Sequence, residues 1–245
     1  MLGIQYSKLN EKEIVDEIMR PRGTGARGAK IVVTANSDHA GRLTTDELFR
    51  KAYLHASIRT ADGFLVHYYA WLRGQHIPRV TGCGILAELM RNRDLGGQKL
   101  FFVADSEETA EGLRKWASGR KYPPSQFEIV VPPYGFEKDQ EYTTGLVEKI
   151  RKFGTTILVM GVGAPKSEKF GYVHRDELPP CWVLSVGEAV KIEAGVKKRA
   201  PAMMQKLNLE WFWRLAHEPR RLIGRYTWDM RRFLVAIIRD LRGSY

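Results

Sequence analysis

Six short runs rich in β-branched and aromatic residues, Lys30–Ala35, Ser57–Ala61, Lys99–Ala104, Phe127–Val131, Thr155–Met160 and Cys181–Val186, punctuate the chain. Runs this brief and this apolar are those of strands buried on both faces. Between them, Thr45–Ala56, Gly63–Leu72, Ile85–Arg93, Glu107–Ala117 and Glu137–Phe153 carry apolar residues at three- and four-residue spacing and read as amphipathic helices. The alternation lasts for about 190 residues. It predicts an α/β fold: a Rossmann-like, mostly parallel sheet with helices on both faces. From Pro201 onward the strand signal stops. Helix formers, Trp211, Phe212, Trp213, Trp228 and many arginines predict a C-terminal helical appendage broken near Pro219. The expected division is a core over residues 1–196 and a basic, aromatic-rich appendage over 197–245. The Gly- and Arg-rich stretch Arg20–Lys30 reads as a loop between a first helix and the first core strand.

A hydrophobic fraction of 44% and a charged fraction of 27% belong to a chain that folds, which sets aside disorder and low complexity. Net charge is +11, which points to an anionic partner: nucleic acid, an anionic membrane surface or a diphosphate. From Lys197 to Tyr245 there are twelve Lys and Arg against four Asp and Glu, a balance of +8, so the excess is a property of the tail. Cys83 and Cys181 stand far apart with no His or Cys at metal-ligand spacing, which suits a reducing cytosol. The first residues lack a basic stretch followed by an apolar run, so no secretory signal is expected. The longest apolar run of the tail, Phe233–Ile238, falls far short of the roughly 18–20 residues of a spanning helix, so membrane contact is expected to be peripheral.

Ligands of open α/β sheets bind outside the carboxyl ends of the strands. Thr34, Asn36, Asp62, Asp105 and the loop Gly161–Lys166 follow the proposed strand ends, so one rim gathers them. Asp62 could be a general base on an acceptor hydroxyl or simply the N-cap of the helix that Gly63 opens. Thr34 and Asn36 could bond a sugar or cap and turn the chain. Gly161 and Gly163 let backbone N–H groups approach a phosphate and Lys166 adds charge, whereas the plain alternative is a tight turn closed by Pro165. Neither GxxxxGK[ST] nor GxGxxG is present, which removes the usual support for ATP hydrolysis and dinucleotide binding. Arg79 could pair with a diphosphate or stay a surface residue. The six His are scattered and no DxD occurs, so a metal-independent mechanism is expected, with arginines neutralising a leaving diphosphate. The tail run Glu210–Leu215 interleaves rings with arginine, which suits a membrane interface, single-stranded nucleic acid, or a helix packed on the core.

These pieces in this order resemble the WecG/TagA/CpsF family of glycosyltransferases, from roughly Ile31 to Arg221. Arg199-Ala200-Pro201, Gln205 to Trp211, Arg214-Leu215 and Glu218-Pro219-Arg220-Arg221 follow the family's RAP…GLEW…RL…EP.R pattern, and Thr34-x-Asn36, Asp62-Gly63, Arg79 to Gly82 and Gly161 to Lys166 match its earlier blocks. The resemblance implies transfer of a hexose, N-acetylhexosamine or uronic acid from a UDP-sugar to a polyprenyl-diphosphate-linked sugar, with inversion and without a metal or other cofactor. It implies Asp62 as base, Thr34 and Asn36 near the reacting sugars and Arg79 near the diphosphate. Gly161, Gly163, Pro165, Lys166, Ser167 and Glu168, with Gly187 and Lys191 of the Val186–Gly195 turn, would hold the donor. Arg214, Arg220 and Arg221 would meet the lipid diphosphate at an anionic membrane surface, on the cytoplasmic face of the inner membrane. Nucleic acid is not an implied partner, and self-association into a homo-oligomer stays open.

Three departures concern the donor side. The family's APKQE is Ala164-Pro165-Lys166-Ser167-Glu168 here, GG-x-FD becomes Val186-Gly187-Glu188-Ala189-Val190-Lys191, and a Gly-rich loop after the third strand becomes Asp105-Ser106. Lys191 would favour an acidic sugar. The competing readings are a non-catalytic nucleic-acid-binding α/β protein with a basic tail, and a nicotinamide-dependent enzyme, which the missing glycine fingerprint opposes.

Overall fold

The computed structural model describes residues 1–23, 25–92 and 95–243, so Thr24 of the expected Arg20–Lys30 loop, Arg93 at the end of the expected third helix, and the last two residues of the 197–245 segment lie outside the described residues. Six strands form one sheet: β1 (Lys30–Ala35), β2 (Ile58–Ala61), β3 (Leu100–Val103), β4 (Phe127–Val130), β5 (Ile157–Met160) and β6 (Trp182–Ser185). Every pairing is parallel and the order is β2-β1-β6-β5-β3-β4. Parallel strands need crossovers, which the helices supply. Those helices are α1 (Glu11–Met19), α2 (Ser37–Arg42), α3 (Glu47–His55), α4 (Phe64–Leu72), α5 (Gly82–Arg91), α6 (Glu107–Gly119), α7 (Gln140–Phe153), α8 (Lys166–Val173) and α9 (Ala189–Glu193).

Side chains alternate across a strand, and this divides the core in two. Ile31, Val33 and Ala35 of β1, with Leu158, Met160 and Val183, face a layer built on α2, α3, α4, α7 and α8. Val32, Leu100, Phe102, Val159 and Leu184 face α1, α5, α6 and α9 on the other side. Strands buried on both faces have no polar face to show, which is why the sequence runs read as continuously apolar. The outer strand β2 is covered by the N-terminal segment: the Ser7 amide donates to the Arg59 carbonyl at 2.8 Å, and the Arg59 guanidinium donates to the Gln5 carbonyl at 2.9 Å. Capping side chains start several crossovers, Asn36 for α2, Asp46 for α3, Thr81 for α5 and Asp139 for α7, each oxygen accepting from a free amide of the first turn.

After β6 come α10 (Ala202–Lys206), α11 (Glu210–His217) and α12 (Pro219–Leu241), with the helix break at Pro219 where the sequence places it. Proline at the first position of α12 costs nothing, because its missing N–H has no partner there. Phe233 and Ala236 of α12 join the hydrophobic layer of α2 and α4, and the Tyr69 hydroxyl donates to Asp240 at 2.7 Å. Gly41 marks a close approach of α2 to α12, since a Cβ there would lie 2.6 Å from the Cβ of Arg232. The acid Asp38 is buried at this seam, 3.0 Å from Arg42, 3.7 Å from Arg232 and 3.8 Å from Arg225.

Candidate active site

All six strands point the same way, so their carboxyl ends form one rim. The register Ala35↔Ala61 sets Asn36 beside Asp62, and Met160↔Ser185 sets Gly161 beside Val186. The turns that follow β5 and β6 lie against each other, the Gly187 amide donating to the Met160 carbonyl at 3.1 Å. Gly187 has φ +51, and a Cβ on it would lie 3.4 Å from the Cα of Gly163, itself at φ +78. A Cβ on Gly161 would lie 3.1 Å from the Val103 carbonyl and from Val190. Glycine at these positions is a requirement of close backbone approach and left-handed conformation.

Asp62 does not cap the helix that follows it. Gly63 occupies the N-cap position of α4 with no side-chain bond, and Asp62 turns across to α5, where its Oδ2 accepts from the Gly82 amide at 3.1 Å. Its Oδ1 has no hydrogen-bond partner among the described residues. Burial raises the Asp62 pKa and Glu210 adds to the rise, against the Gly82 N–H, Arg214 and Arg79, which favour the charged form. The result is a carboxylate more basic than a solvated one, with one oxygen committed and one open.

Arg79 holds this carboxylate's backbone. It is bridged to Ala61 beside β2, and its Nε donates to the Asp62 carbonyl at 2.9 Å. Its two other nitrogens reach the C-terminal segment, Nη1 to Asn208 Oδ1 at 2.8 Å and Nη2 to Glu210 Oε2 at 2.6 Å. Asn208 stands where the family pattern has glycine and keeps the left-handed backbone, φ +59. Asparagine is among the few residues that tolerate this conformation, and here its amide oxygen gains a partner.

Thr34 is buried beside Thr60, and Asn36 spends its Oδ1 on the His39 amide at 3.1 Å as the cap of α2. Pro165 stands at the N-cap position of α8 after a cis peptide bond. Ser167 is buried, its hydroxyl donating to the Gly163 carbonyl at 3.2 Å. Lys166 leans outward, with Nζ 3.6 Å from Glu137 and over the Tyr134 ring at 5.0 Å. Lys191 meets Asp105 at 2.6 Å, so two of the chain's departures from the family pattern answer one another, and the Lys191 charge has a partner within the protein. Glu168 is buried, its Oε2 without a hydrogen-bond partner among the described residues; burial lifts its pKa to about 7, with Asp38 adding to the rise and Arg42 opposing it.

Three cations of the C-terminal segment converge on an acid that sequence reasoning did not single out as a site residue. Glu188, in the β6–α9 turn, lies 2.5 Å from Lys197, 3.1 Å from Arg214 and 3.4 Å from Arg221. Arg220 is exposed. Burial would raise the Glu188 pKa, but Lys197, Arg214 and Arg221 together hold it below the ordinary value. No local spacing announces such a contact, because its members are brought together by tertiary packing. Among the described residues no group of three or more His, Cys, Asp or Glu is placed to hold a metal ion.

The pattern that defines the glycosyl transferase WecG/TagA/CpsF family matches residues 1–245. A protein of Staphylococcus aureus (strain MW2), named N-acetylglucosaminyldiphosphoundecaprenol N-acetyl-beta-D-mannosaminyltransferase, is 26% identical over 226 residues, covering 92% of this chain and 86% of its own. Proteins of the same name from Staphylococcus aureus strains NCTC 8325 / PS 47 and COL share that identity and coverage.

Glu168 gives this rim a measurable cost. A carboxyl whose folded pKa lies above its unfolded value binds more protons when folded, so stability falls as pH rises from the unfolded value, near 4.5, towards about 7. Glu168→Gln should remove this slope and raise stability at pH 8 by roughly 1–3 kcal/mol. Denaturant unfolding from pH 4.5 to 8 reads it out, and parallel profiles for the two proteins would refute a buried, titrating Glu168.

Proposed function

This chain belongs to the WecG/TagA/CpsF family of glycosyltransferases, and from that premise we propose that it moves a sugar from a UDP-sugar to a polyprenyl-diphosphate-linked sugar, with inversion and without a divalent metal. Family membership sets aside the non-catalytic reading of the basic tail. The observation that carries the proposal is Asp62, a carboxylate of raised basicity with one open oxygen, at the junction of the sheet rim, α5 and the C-terminal segment. In the transfer, Asp62 takes the proton of the acceptor hydroxyl as that oxygen bonds to the anomeric carbon. The bond from that carbon to the UDP oxygen breaks on the opposite face, and UDP leaves with the electron pair. Its diphosphate is neutralised by cations of the rim, which replaces the charge that a metal would supply. The names of the Staphylococcus relatives support N-acetylglucosamine on undecaprenyl diphosphate as the acceptor, in the synthesis of a bacterial surface polysaccharide. Thr34 and Asn36 line the sugar side, and the turns carrying Gly161, Gly163, Pro165, Lys166, Ser167 and Glu168, and Gly187 and Lys191, form the donor side.

Such an acceptor lies in a membrane, and among the described residues no helix is long and apolar enough to cross one. The surface next to Asp62 suits a bilayer interface. Phe64, Tyr68, Trp71 and Leu72 fall on one exposed face of α4, with ring centroids 6.0 Å apart for Phe64–Tyr68 and 5.7 Å for Tyr68–Trp71. The Tyr69 ring, 6.3 Å from Phe233, sets α4 beside α12, whose Ile223, Met230, Leu234 and Leu241 form a second exposed apolar stripe. Trp211 and Phe212 of α11 are also exposed. Aromatic side chains beside a basic helix favour the headgroup region of anionic lipid, where each Lys or Arg near the surface contributes about 1 kcal/mol. The 197–245 segment therefore docks the protein on the cytoplasmic face of the membrane, and Arg214, Arg220 and Arg221 are its contacts to the lipid diphosphate.

Asp62→Asn keeps the size and the bond to Gly82 but removes the base, so turnover should fall roughly 10²–10⁴-fold with the melting temperature nearly kept. Because the carboxyl pKa is raised, the acid limb of kcat/KM in the unaltered protein should lie above the ordinary carboxylate range. Near-normal turnover in Asp62→Asn takes Asp62 out of this role. For the membrane face, Tyr68→Ser combined with Trp71→Ser should reduce co-sedimentation with vesicles rich in phosphatidylglycerol by roughly tenfold. Undiminished sedimentation, with UDP binding intact, would remove α4 from the docking surface.

A further inference from the structure

Glu188 stands in a segment where this chain departs from the family pattern, and its surroundings are unusual for a turn residue. Its carboxylate is met from three separate elements, by Lys197 of the α9–α10 linker at 2.5 Å, Arg214 of α11 at 3.1 Å and Arg221 of α12 at 3.4 Å. Glu218 adds a second acid, paired with both Lys197 and Arg221. Cations arranged so, around two oxygens, are what a phosphate group requires. Without an anion among them, their mutual repulsion would push α11 and α12 away from the β6–α9 turn. The turn also borders the donor side of the rim, because the Gly187 amide donates to the Met160 carbonyl at 3.1 Å and a Cβ on Gly187 would lie 3.4 Å from the Gly163 Cα.

We propose that Lys197, Arg214 and Arg221 form a diphosphate site whose resident anion is the chain's own Glu188, and that Glu188 gives way when the diphosphate enters. The ligand class rests on the glycosyl-transfer reading above; the exchange, and the parts played by Lys197 and Glu188, go beyond it. Glu188 suits the task because its side chain is part exposed, 30%, and flexible enough to swing out of the cluster. With Glu218 already paired to Lys197 and Arg221, an entering diphosphate would crowd a further anion onto the same three cations, so its entry is coupled to the departure of Glu188. The apparent affinity is then the affinity of the open cluster reduced by the fraction of time Glu188 leaves it. In the ligand-free protein the carboxylate keeps the cations ordered and the C-terminal helices held against the donor turn.

Inorganic pyrophosphate is the probe, titrated calorimetrically into the full-length chain. Glu188→Gln removes the competing charge, and Glu188→Asp keeps the charge but shortens its reach by one methylene. Both should bind pyrophosphate roughly tenfold more tightly than the unaltered protein, whereas Lys197→Gln should bind it roughly tenfold more weakly. A clasp without an anion site gives the opposite sign, because loosening the C-terminal helices can only weaken binding. Equal or weaker binding in Glu188→Asp, or unaltered binding in Lys197→Gln, overturns the proposal. Pyrophosphate binding requires no sugar transfer. A protein that shows the gain but transfers no sugar keeps the exchange and loses the reaction, and a transferase without the gain keeps the reaction and loses the exchange.

Discussion

Arg79 is the contact on which the geometry of the rim depends. One guanidinium joins the backbone of Asp62 to two side chains of the C-terminal segment, Asn208 and Glu210, 129 and 131 residues further along the chain. Guanidinium suits this because its donors are fixed in a plane, so three acceptors satisfied at once leave little freedom to any of them. The ion pair with Glu210 is largely shielded from water, with the two side chains 17% and 15% exposed. Losing either member would strand a charge in poorly solvated surroundings. Asp62 is thereby placed by the sheet, by the first turn of α5 and by the tail together.

The same logic governs the rest of the basic tail. Asp38 on α2 and Glu188 on the β6–α9 turn each collect cations from the C-terminal segment, Arg225 and Arg232 at the first and Lys197, Arg214 and Arg221 at the second. Part of the +8 excess is therefore met inside the protein, while Arg220 and the exposed rings of α4, α11 and α12 remain on the surface. A charge total read from sequence reports both uses at once and cannot divide them. The tertiary contacts make that division.

The inner strands were legible because burial on both faces favours apolar residues, and the outer strands β2 and β4, partly exposed and carrying Arg59 and Glu128, through their β-branched and aromatic residues; all six fall where the sequence places them. Helices α3 to α7 were legible through their apolar periodicity. Helix α2 was not, since Ser37–Arg42 is too short and too polar to show a period and starts from the Asn36 cap. At the site, the gathering of Asn36, Asp62 and Gly161–Lys166 on one rim followed from a rule about parallel sheets. Which oxygen bonds to which nitrogen did not follow. Asp62 resembled an N-cap of α4 and instead bonds to Gly82, twenty residues on, and the Asp105–Lys191 pair joins two departures that look unrelated in sequence. Contacts of this reach leave no trace in local spacing.

The central claim is that this rim performs an inverting transfer without a metal, and the anomeric configuration of the product tests it most directly. The chain would be incubated in EDTA with α-linked UDP-N-acetylhexosamines and a short polyprenyl-diphosphate N-acetylglucosamine, and the extended product examined by proton and carbon NMR. The account predicts a β linkage, formed at an initial rate that the chelator leaves unchanged, with one UDP released per sugar transferred. An α linkage, or transfer abolished by EDTA and restored by Mg²⁺ or Mn²⁺, would contradict it.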